Sequence, residues 1–263
     1  METSPSPSPA KKGRLYIVGI GPGSAGQLTG AAVNAIRDSE YVMGNGTYLD
    51  MIAPLLEGKK VIRSGMGREV DRARKSLELS RDSIVSMVSG GDPGIYGMAG
   101  IVLEVAERSG MAVEIEVIPG VTAASASAAL LGSPLSGDFV VISLSNLLTP
   151  WEVIKERLAL AFPMGVPVVL YNPRSRGRPH RFREAVDIAL KTRAPGTPVG
   201  IVKNAFRDGE CVIVTTLEKV RDEHDEVDMH STVIVGGEES RIWRSANGER
   251  IVTPRGYHRK YDY

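Results

Sequence analysis

Ser89-Gly90-Gly91-Asp92-Pro93-Gly94-Ile95-Tyr96-Gly97 follows an apolar run with strand character, Ser83-Ile84-Val85-Ser86-Met87-Val88, and precedes a helical pattern over 98–108. A glycine-rich turn between a buried strand and a helix is a building unit of an open α/β sheet, where ligands bind outside the carboxyl ends of the strands. The glycines let the backbone take positive φ or approach a ligand closely. Asp92 places a carboxylate at the strand tip, able to accept hydrogen bonds from hydroxyl or amine groups. Pro93 stiffens the turn. Taken alone, the stretch is read equally well as an ordinary strand-to-helix turn with a polar cap, so the surrounding chain has to decide.

Upstream, Leu15-Tyr16-Ile17-Val18 is a short buried strand leading into Gly19-Ile20-Gly21-Pro22-Gly23-Ser24-Ala25-Gly26 and a helix over 28–38. Strand, glycine turn and helix follow the dinucleotide-binding pattern. Two features argue against it. Pro22 removes a backbone donor that a pyrophosphate would want. The next strand, Tyr41-Val42-Met43, ends in Gly44-Asn45-Gly46, with no acidic residue to hold a ribose. Lys60-Val61-Ile62 is a third strand, followed by a charged helix over 68–81. There the three- and four-residue spacing of Arg68, Arg72 and Lys75 predicts one shared face. That face is either solvated or an anion-binding edge, with Arg68 at the helix start.

Val113-Glu114-Ile115-Glu116-Val117-Ile118 alternates as a half-exposed strand should. Pro119-Gly120-Val121-Thr122-Ala123-Ala124 then opens a helix of small residues, with Thr122 serving as a cap, a ligand contact or both. Gly132-Ser133-Pro134-Leu135-Ser136-Gly137 reads as a linker. Beyond it a second series predicts strands over 139–144, 167–171, 199–202, 212–214 and 232–236, with helices from Thr149-Pro150 to about residue 161 and over 179–193. The expected organisation is a disordered Ser/Pro-rich tail over 1–12, an α/β domain over 13–132, a second α/β domain over 138–250, and a basic aromatic tail over 251–263.

Composition narrows the classes. A formal net charge of +1 over 263 residues gives no global field for nucleic acid or an anionic membrane. With one cysteine, Cys211, neither an internal disulfide nor a cysteine-based metal site is possible within one chain, which fits a reducing, cytoplasmic compartment. No apolar run approaches the roughly 18 residues of a membrane span, and the start lacks the apolar segment of a signal peptide. His180, His224, His230 and His258 show no metal-ligand spacing, so no metal is expected. No serine lies in a nucleophile elbow. These residues suit an enzyme that positions its ligands rather than attacking them covalently.

Four motifs in this order and spacing resemble the tetrapyrrole methylases. They are Val18-Gly19-Ile20-Gly21-Pro22-Gly23, Ser89-Gly90-Gly91-Asp92-Pro93, Pro119-Gly120-Val121-Thr122-Ala123 and Val202-Lys203-Asn204-Ala205. Tyr48-Leu49-Asp50, Gly67-Arg68-Glu69-Val70-Asp71-Arg72-Ala73, Gly94-Ile95-Tyr96-Gly97-Met98-Ala99, Leu144-Ser145-Asn146-Leu147-Leu148-Thr149-Pro150-Trp151 and Tyr171-Asn172-Pro173-Arg174-Ser175-Arg176 are similar to one branch of that family. Its members methylate C17 of the macrocycle and contract the ring, acting on precorrin-3B or, in the anaerobic cobalamin route, on cobalt-factor III. Asn45-Gly46 departs from the bulkier residue the branch carries before Thr47-Tyr48.

The resemblance implies two α/β domains with S-adenosylmethionine in the cleft between them, usually in a homodimer. Carried over by motif, the cofactor contacts are Pro22, Gly90, Gly91, Asp92, Ile95, Thr122 and Ala123, with Asn172, Ala205 and Thr232 from the second half. A corrin precursor carries many carboxylates, which arginine pairs in bidentate fashion, so Arg68, Arg72, Arg174 and Arg176 are the substrate-binding candidates. Tyr96 and Asp50 are the candidates for the proton movements of ring contraction. Methylation at another ring position and a non-catalytic tetrapyrrole carrier are the competing readings.

Overall fold

The computed structural model describes residues 13–222, 225–246 and 248–262. The expected tail over 1–12 and His224 lie outside them. The chain divides into two compact units, Met1–Thr122 and Ala123–Tyr263.

The first unit alternates strand and helix in sequence: β1 (Arg14–Gly19), α1 (Gly30–Asp38), β2 (Tyr41–Asn45), α2 (Gly46–Met51), β3 (Lys60–Ser64), α3 (Glu69–Leu79), β4 (Ile84–Ser89), α4 (Ala99–Ser109) and β5 (Glu114–Ile118). Its five strands are all parallel, in the order β3-β2-β4-β1-β5. The central strands β1 and β4 are buried along nearly their whole length, as strands covered on both faces must be. One face packs on α1 through Ala32, Ala35 and Ile36, and on α2 through Leu49. The other packs on α3 through Ala73 and Leu77, and on α4 through Ala99 and Val102. Thr29 caps α1 by accepting from the Ala32 N–H at 3.1 Å. Asn45 caps α2 by accepting from the Thr47 N–H at 3.0 Å. That explains the departure at Asn45-Gly46: the residue serves a short helix that strand periodicity does not reveal.

The second unit holds α5 (Ala123–Leu131), β6 (Gly132–Ser133), β7 (Val140–Ser143), α6 (Trp151–Ala161), β8 (Val168–Tyr171), α7 (Arg181–Ala189), β9 (Pro198–Lys203), β10 (Cys211–Thr216), α8 (Leu217–Asp222), β11 (Ser231–Val235), β12 (Arg241–Ser245) and β13 (Gly248–Val252). Its main sheet runs β10-β9-β11-β8-β7, antiparallel except for the β7–β8 pair. Helices α6, α7 and α8 cover one face, and α5 the other.

Two differences from the sequence reading have clear causes. The division falls at Thr122, before α5, because α5 packs on the second sheet: Gly200 of β9 leaves the space that Leu131 fills, and a Cβ there would sit 2.4 Å from a Leu131 methyl. Gly132-Ser133 is no linker. It pairs in parallel with Ile251 and Val252 of β13, which pairs with β12, so the start of the expected C-terminal tail completes a three-stranded sheet.

Candidate functional site

In the first unit, the crossover from β1 runs to one side of the sheet and that from β4 to the other. β1 and β4 are neighbours, so their carboxyl ends flank the topological switch point, where open α/β sheets hold ligands. The turns after β1 and β4 clasp each other there. Gly91 N–H donates to Gly21 O at 2.8 Å, Gly21 N–H to Gly91 O at 3.1 Å, and Ile20 N–H to Ser89 O at 3.0 Å. The turn after β5 joins them: a Cβ on Gly120 would lie 2.3 Å from Gly91 O, and one on Gly19 2.7 Å from Gly120 N. Gly19, Gly21 and Gly120 are therefore needed first for backbone packing on backbone. The same bonds occupy the donors a pyrophosphate would need, and α1 starts only at Gly30, so the structure holds no dinucleotide loop here.

Asp92 is the clamp of this arrangement. Its Oδ1 accepts from Gly94 N–H at 2.8 Å and its Oδ2 from Gly120 N–H at 3.0 Å. The carboxylate expected to face a ligand is engaged by the protein's own backbone. Pro22 is buried in its turn, whereas Ile95 and Tyr96 project outward, Tyr96 from a left-handed backbone at φ 53°. The ring of Tyr48, on α2, lies over Gly90, where a Cβ would come within 2.6 Å of it. The sequence gives Tyr48 no role, because a turn glycine opposite an aromatic on a helix more than forty positions earlier leaves no local signal. Asp50, on the same helix, pairs with Arg63 at 2.8 Å on the surface.

Arg68 and Arg72 do not share a face. Arg68 precedes α3, its side chain is 70% exposed, and it pairs with Asp71 at 3.1 Å. Arg72 is a correction to the substrate-binding candidates: its side chain is 4% exposed. Its guanidinium donates to the Ser64 hydroxyl and the Gly65 carbonyl, lies 3.6 Å from Glu69, and reaches Met98 Sδ. It braces the β3–α3 turn against the start of α4 and presents nothing to a ligand.

In the second unit the carboxyl ends of β7, β8 and β9 and the amino end of β11 meet at one edge. The Tyr171 hydroxyl accepts from Ala124 N–H at 2.7 Å in the first turn of α5, whose first residue is Ala123. Asn172, left-handed at φ 51°, donates from Nδ2 to the Ser143 hydroxyl at 3.0 Å. After β9, Asn204 and Phe206 are left-handed at φ 50° and 57°, with half-buried Ala205 between them. Thr232, buried in β11, stands opposite Val202. Arg174 lies 3.7 Å from Asp225, and Arg176 is exposed. Thr122 closes the first unit, half-buried.

The charges at this edge are locally organised. Arg178, which the sequence reading passed over, donates to Leu144 O at 2.7 Å and to the Ser175 hydroxyl at 3.2 Å. Burial, and then Arg181, pull its pKa below the ordinary value. Lys203 pairs with Asp228 at 2.7 Å, and that hydrogen bond raises the lysine's pKa. Burial pushes the Asp228 carboxyl up, but the bonds from Lys203 and the His230 N–H more than reverse this, leaving it below the ordinary value. Among the described residues no three His, Cys, Asp or Glu side chains form a group that could hold a metal ion, and no helix is long and apolar enough to cross a membrane.

The described motifs thus converge on strand ends in each unit, and known proteins share them. The model of the tetrapyrrole (corrin/porphyrin) methylases matches residues 14–221. The chain is 42% identical over 92% of its length to the probable cobalt-factor III C(17)-methyltransferase of Salmonella typhimurium, covering 99% of that protein. It is 46% identical over 95% of its length to the cobalamin biosynthesis protein CbiHC of Archaeoglobus fulgidus, but spans only about half of that relative, 54%. The solved methyltransferase CobJ superposes with a TM-score of 0.85 at 32% identity, over 92% of this chain and all of that one. A uroporphyrin-III C-methyltransferase from Thermus thermophilus, complexed with S-adenosyl homocysteine, superposes at 0.66 with 27% identity over 85% of this chain and 97% of that one. By a family model covering most of the sequence and a relative matched almost end to end, this chain belongs to the tetrapyrrole methylases.

Proposed function

We propose that the chain is an S-adenosylmethionine-dependent C-methyltransferase of cobalamin biosynthesis, methylating C17 of precorrin-3B or cobalt-factor III with contraction of the ring. The observation that carries this reading is the near-complete coverage of the Salmonella relative, a protein named as a probable cobalt-factor III C(17)-methyltransferase. S-adenosylmethionine supplies a methyl group already activated on a sulfonium. The chain accordingly needs no nucleophile; its task is alignment, worth up to roughly 7–11 kcal/mol for well-oriented reactants. The fit of this cofactor rests on the chemistry of the strand ends, which offer backbone groups, small side chains and two left-handed asparagines.

Gly90, Gly91, Ile95, Pro22 and Thr122 of the first unit, with Ala123, Asn172, Ala205 and Thr232 of the second, hold the cofactor. Asp92 acts by fixing the turns that carry those contacts. Arg68, Arg174 and Arg176 pair with substrate carboxylates. For the proton movements of contraction, exposed Tyr96 is better placed than Asp50, whose carboxylate is engaged by Arg63. The enzyme works as a cytoplasmic homodimer.

The test is transfer of an isotopically labelled methyl group from S-adenosylmethionine to each precursor in turn, with the product's methylated carbon located by NMR and contraction followed by absorption. Label at C17 is expected with one precursor. Label at another carbon supports a different member of the family, and no transfer to either precursor refutes the proposal.

A further inference from the structure

Leu148 and Leu147 are 94% and 82% exposed, more than any other large apolar side chain among the described residues. Single exposed leucines are common; an adjacent pair on an immobilised loop is not. Leu144 N–H donates to Tyr171 O at 2.8 Å, and Ser145 N–H to the Ser143 hydroxyl at 3.2 Å. Arg178 holds Leu144 O from the β8–α7 loop. At the far end Trp151, buried, donates to Glu184 at 2.8 Å and lies under the Arg181 guanidinium at 4.4 Å. The β7–α6 loop is thus fixed at both ends while its tip is offered to water.

The neighbouring loop identifies what covers it. Residues 172–180, laced to the leucine loop through Arg178 and the Asn172–Ser143 bond, carry Arg176 and Arg174, the latter 3.7 Å from exposed Asp225, and no acidic residue of their own. Nor does any residue from 144 to 150 carry an acid. An apolar tip next to a cationic loop is complementary to a molecule with an apolar face and an anionic rim. A tetrapyrrole bearing peripheral carboxylates is such a molecule, and Asn172 places this edge in continuity with the candidate cofactor residues.

We propose that the β7–α6 loop is a docking lip for the substrate macrocycle, Leu147 and Leu148 taking its face and Arg174 and Arg176 of the β8–α7 loop its carboxylates. The proposal rests on the reading that the substrate is a tetrapyrrole. A second copy of the chain or another protein seated on the leucines is the alternative that the test must expose.

The probe is uroporphyrin III, a polycarboxylate porphyrin, titrated by absorption against wild type, Leu147→Ser/Leu148→Ser and Leu147→Met/Leu148→Met. Light scattering gives the oligomeric state, and calorimetry the S-adenosylmethionine affinity. The serine variant should keep its melting temperature, oligomeric state and cofactor affinity while binding porphyrin roughly tenfold to a hundredfold more weakly. The methionine variant should bind nearly as wild type. Raising the ionic strength should weaken binding in all three by screening the arginines, leaving the leucine effect in place. Equal porphyrin affinity in the serine variant, or a changed oligomeric state, overturns the proposal and leaves the methylase reading standing. A wild-type chain that binds no tetrapyrrole overturns both.

Discussion

Gly120→Ala tests whether the three turns at the switch point form one packed body. The new Cβ would stand 2.3 Å from Gly91 O and 2.8 Å from the Gly19 carbonyl carbon, where ordinary contact begins at 3.4 Å. Both neighbours are backbone, so no rotamer change relieves the clash. The turn after β5 has to retreat by about 1 Å, and the Asp92–Gly120 bond breaks with it. Overpacking costs about 1–3 kcal/mol, and a lost hydrogen bond to a charged group about 1.5–3 kcal/mol. At roughly 2–4 °C per kcal/mol for a chain of this size, the melting temperature should fall on the order of 10 °C. Cofactor affinity should fall with it, since the displaced turn leads into Thr122. Gly26→Ala, where a Cβ would meet nothing within 4 Å, is the control and should melt as wild type. The assay is a thermal melt with calorimetric titration of S-adenosylmethionine on each variant. A Gly120→Ala protein with the stability and cofactor affinity of wild type would refute the backbone-on-backbone account.

Arg72→Met should destabilise by about 2 kcal/mol or more by stripping the Ser64 and Gly65 bonds from a buried site, whereas Arg68→Ala should stay within about 0.5 kcal/mol and raise the Michaelis constant for the tetrapyrrole instead; urea melts and steady-state kinetics separate the two, and the opposite ranking would restore Arg72 as a ligand contact. Gly90→Ala should weaken the fold by forcing the Tyr48 ring aside, and Tyr48→Ala should relieve that cost in the double variant, giving a coupling of about 0.5 kcal/mol or more; additive effects would show that ring and glycine do not meet. The depressed Asp228 carboxyl contributes stability that is complete above about pH 4, its unfolded pKa, and lost as pH falls through its lower folded value; Lys203, raised, loses its share only as pH climbs past its folded pKa. Asp228→Asn should therefore melt below wild type at pH 7, the gap closing in acid, and a gap unchanged down to pH 3 would remove Asp228 from the account.

The alternation of strand and helix from β1 to β5, and from β7 to β9, was largely legible because most of those strands are short apolar runs closed by glycine, asparagine or proline. What the sequence concealed depends on contacts remote in the chain. Gly132-Ser133 reads as a linker because two residues carry no periodicity, and only β13, more than a hundred positions later, makes them a strand. Trp243 and its neighbours do not read as a strand because β12 and β13 have largely exposed side chains and lack an alternating apolar face. Helical spacing correctly predicted α3, but spacing cannot say that Arg72 faces inward: a buried arginine is recognisable only from the Ser64, Gly65 and Glu69 groups that receive it. The glycine turns were located by the sequence for one reason and kept by the structure for another, since a glycine that admits a ligand and one that admits another backbone are the same letter.

The left-handed residues separate those two uses. Where the chain merely has to turn, it employs glycine, as at Gly110 after α4, Gly165 after α6 and Gly256 before the last helical turn. The non-glycine residues with positive φ among the described residues are Tyr96, Asn172, Asn204 and Phe206. All four lie in the loops that follow β4, β8 or β9. Asparagine tolerates this region through its short polar side chain; a tyrosine or phenylalanine there costs about 1–2 kcal/mol, which glycine would remove. Such strain persists where the surroundings over-determine it, and here they do so visibly: Asn172 is fixed by Ser143, and the Phe206 N–H by Glu210 at 2.7 Å. On the function proposed above, strand ends in each unit that retain such side chains where glycine would relax the backbone retain them for the ligand. In the first unit that marks Tyr96 rather than the clamped Asp92. In the second it marks the stretch from Asn204 to Phe206 that frames Ala205, together with Asn172 at the foot of the leucine and arginine loops.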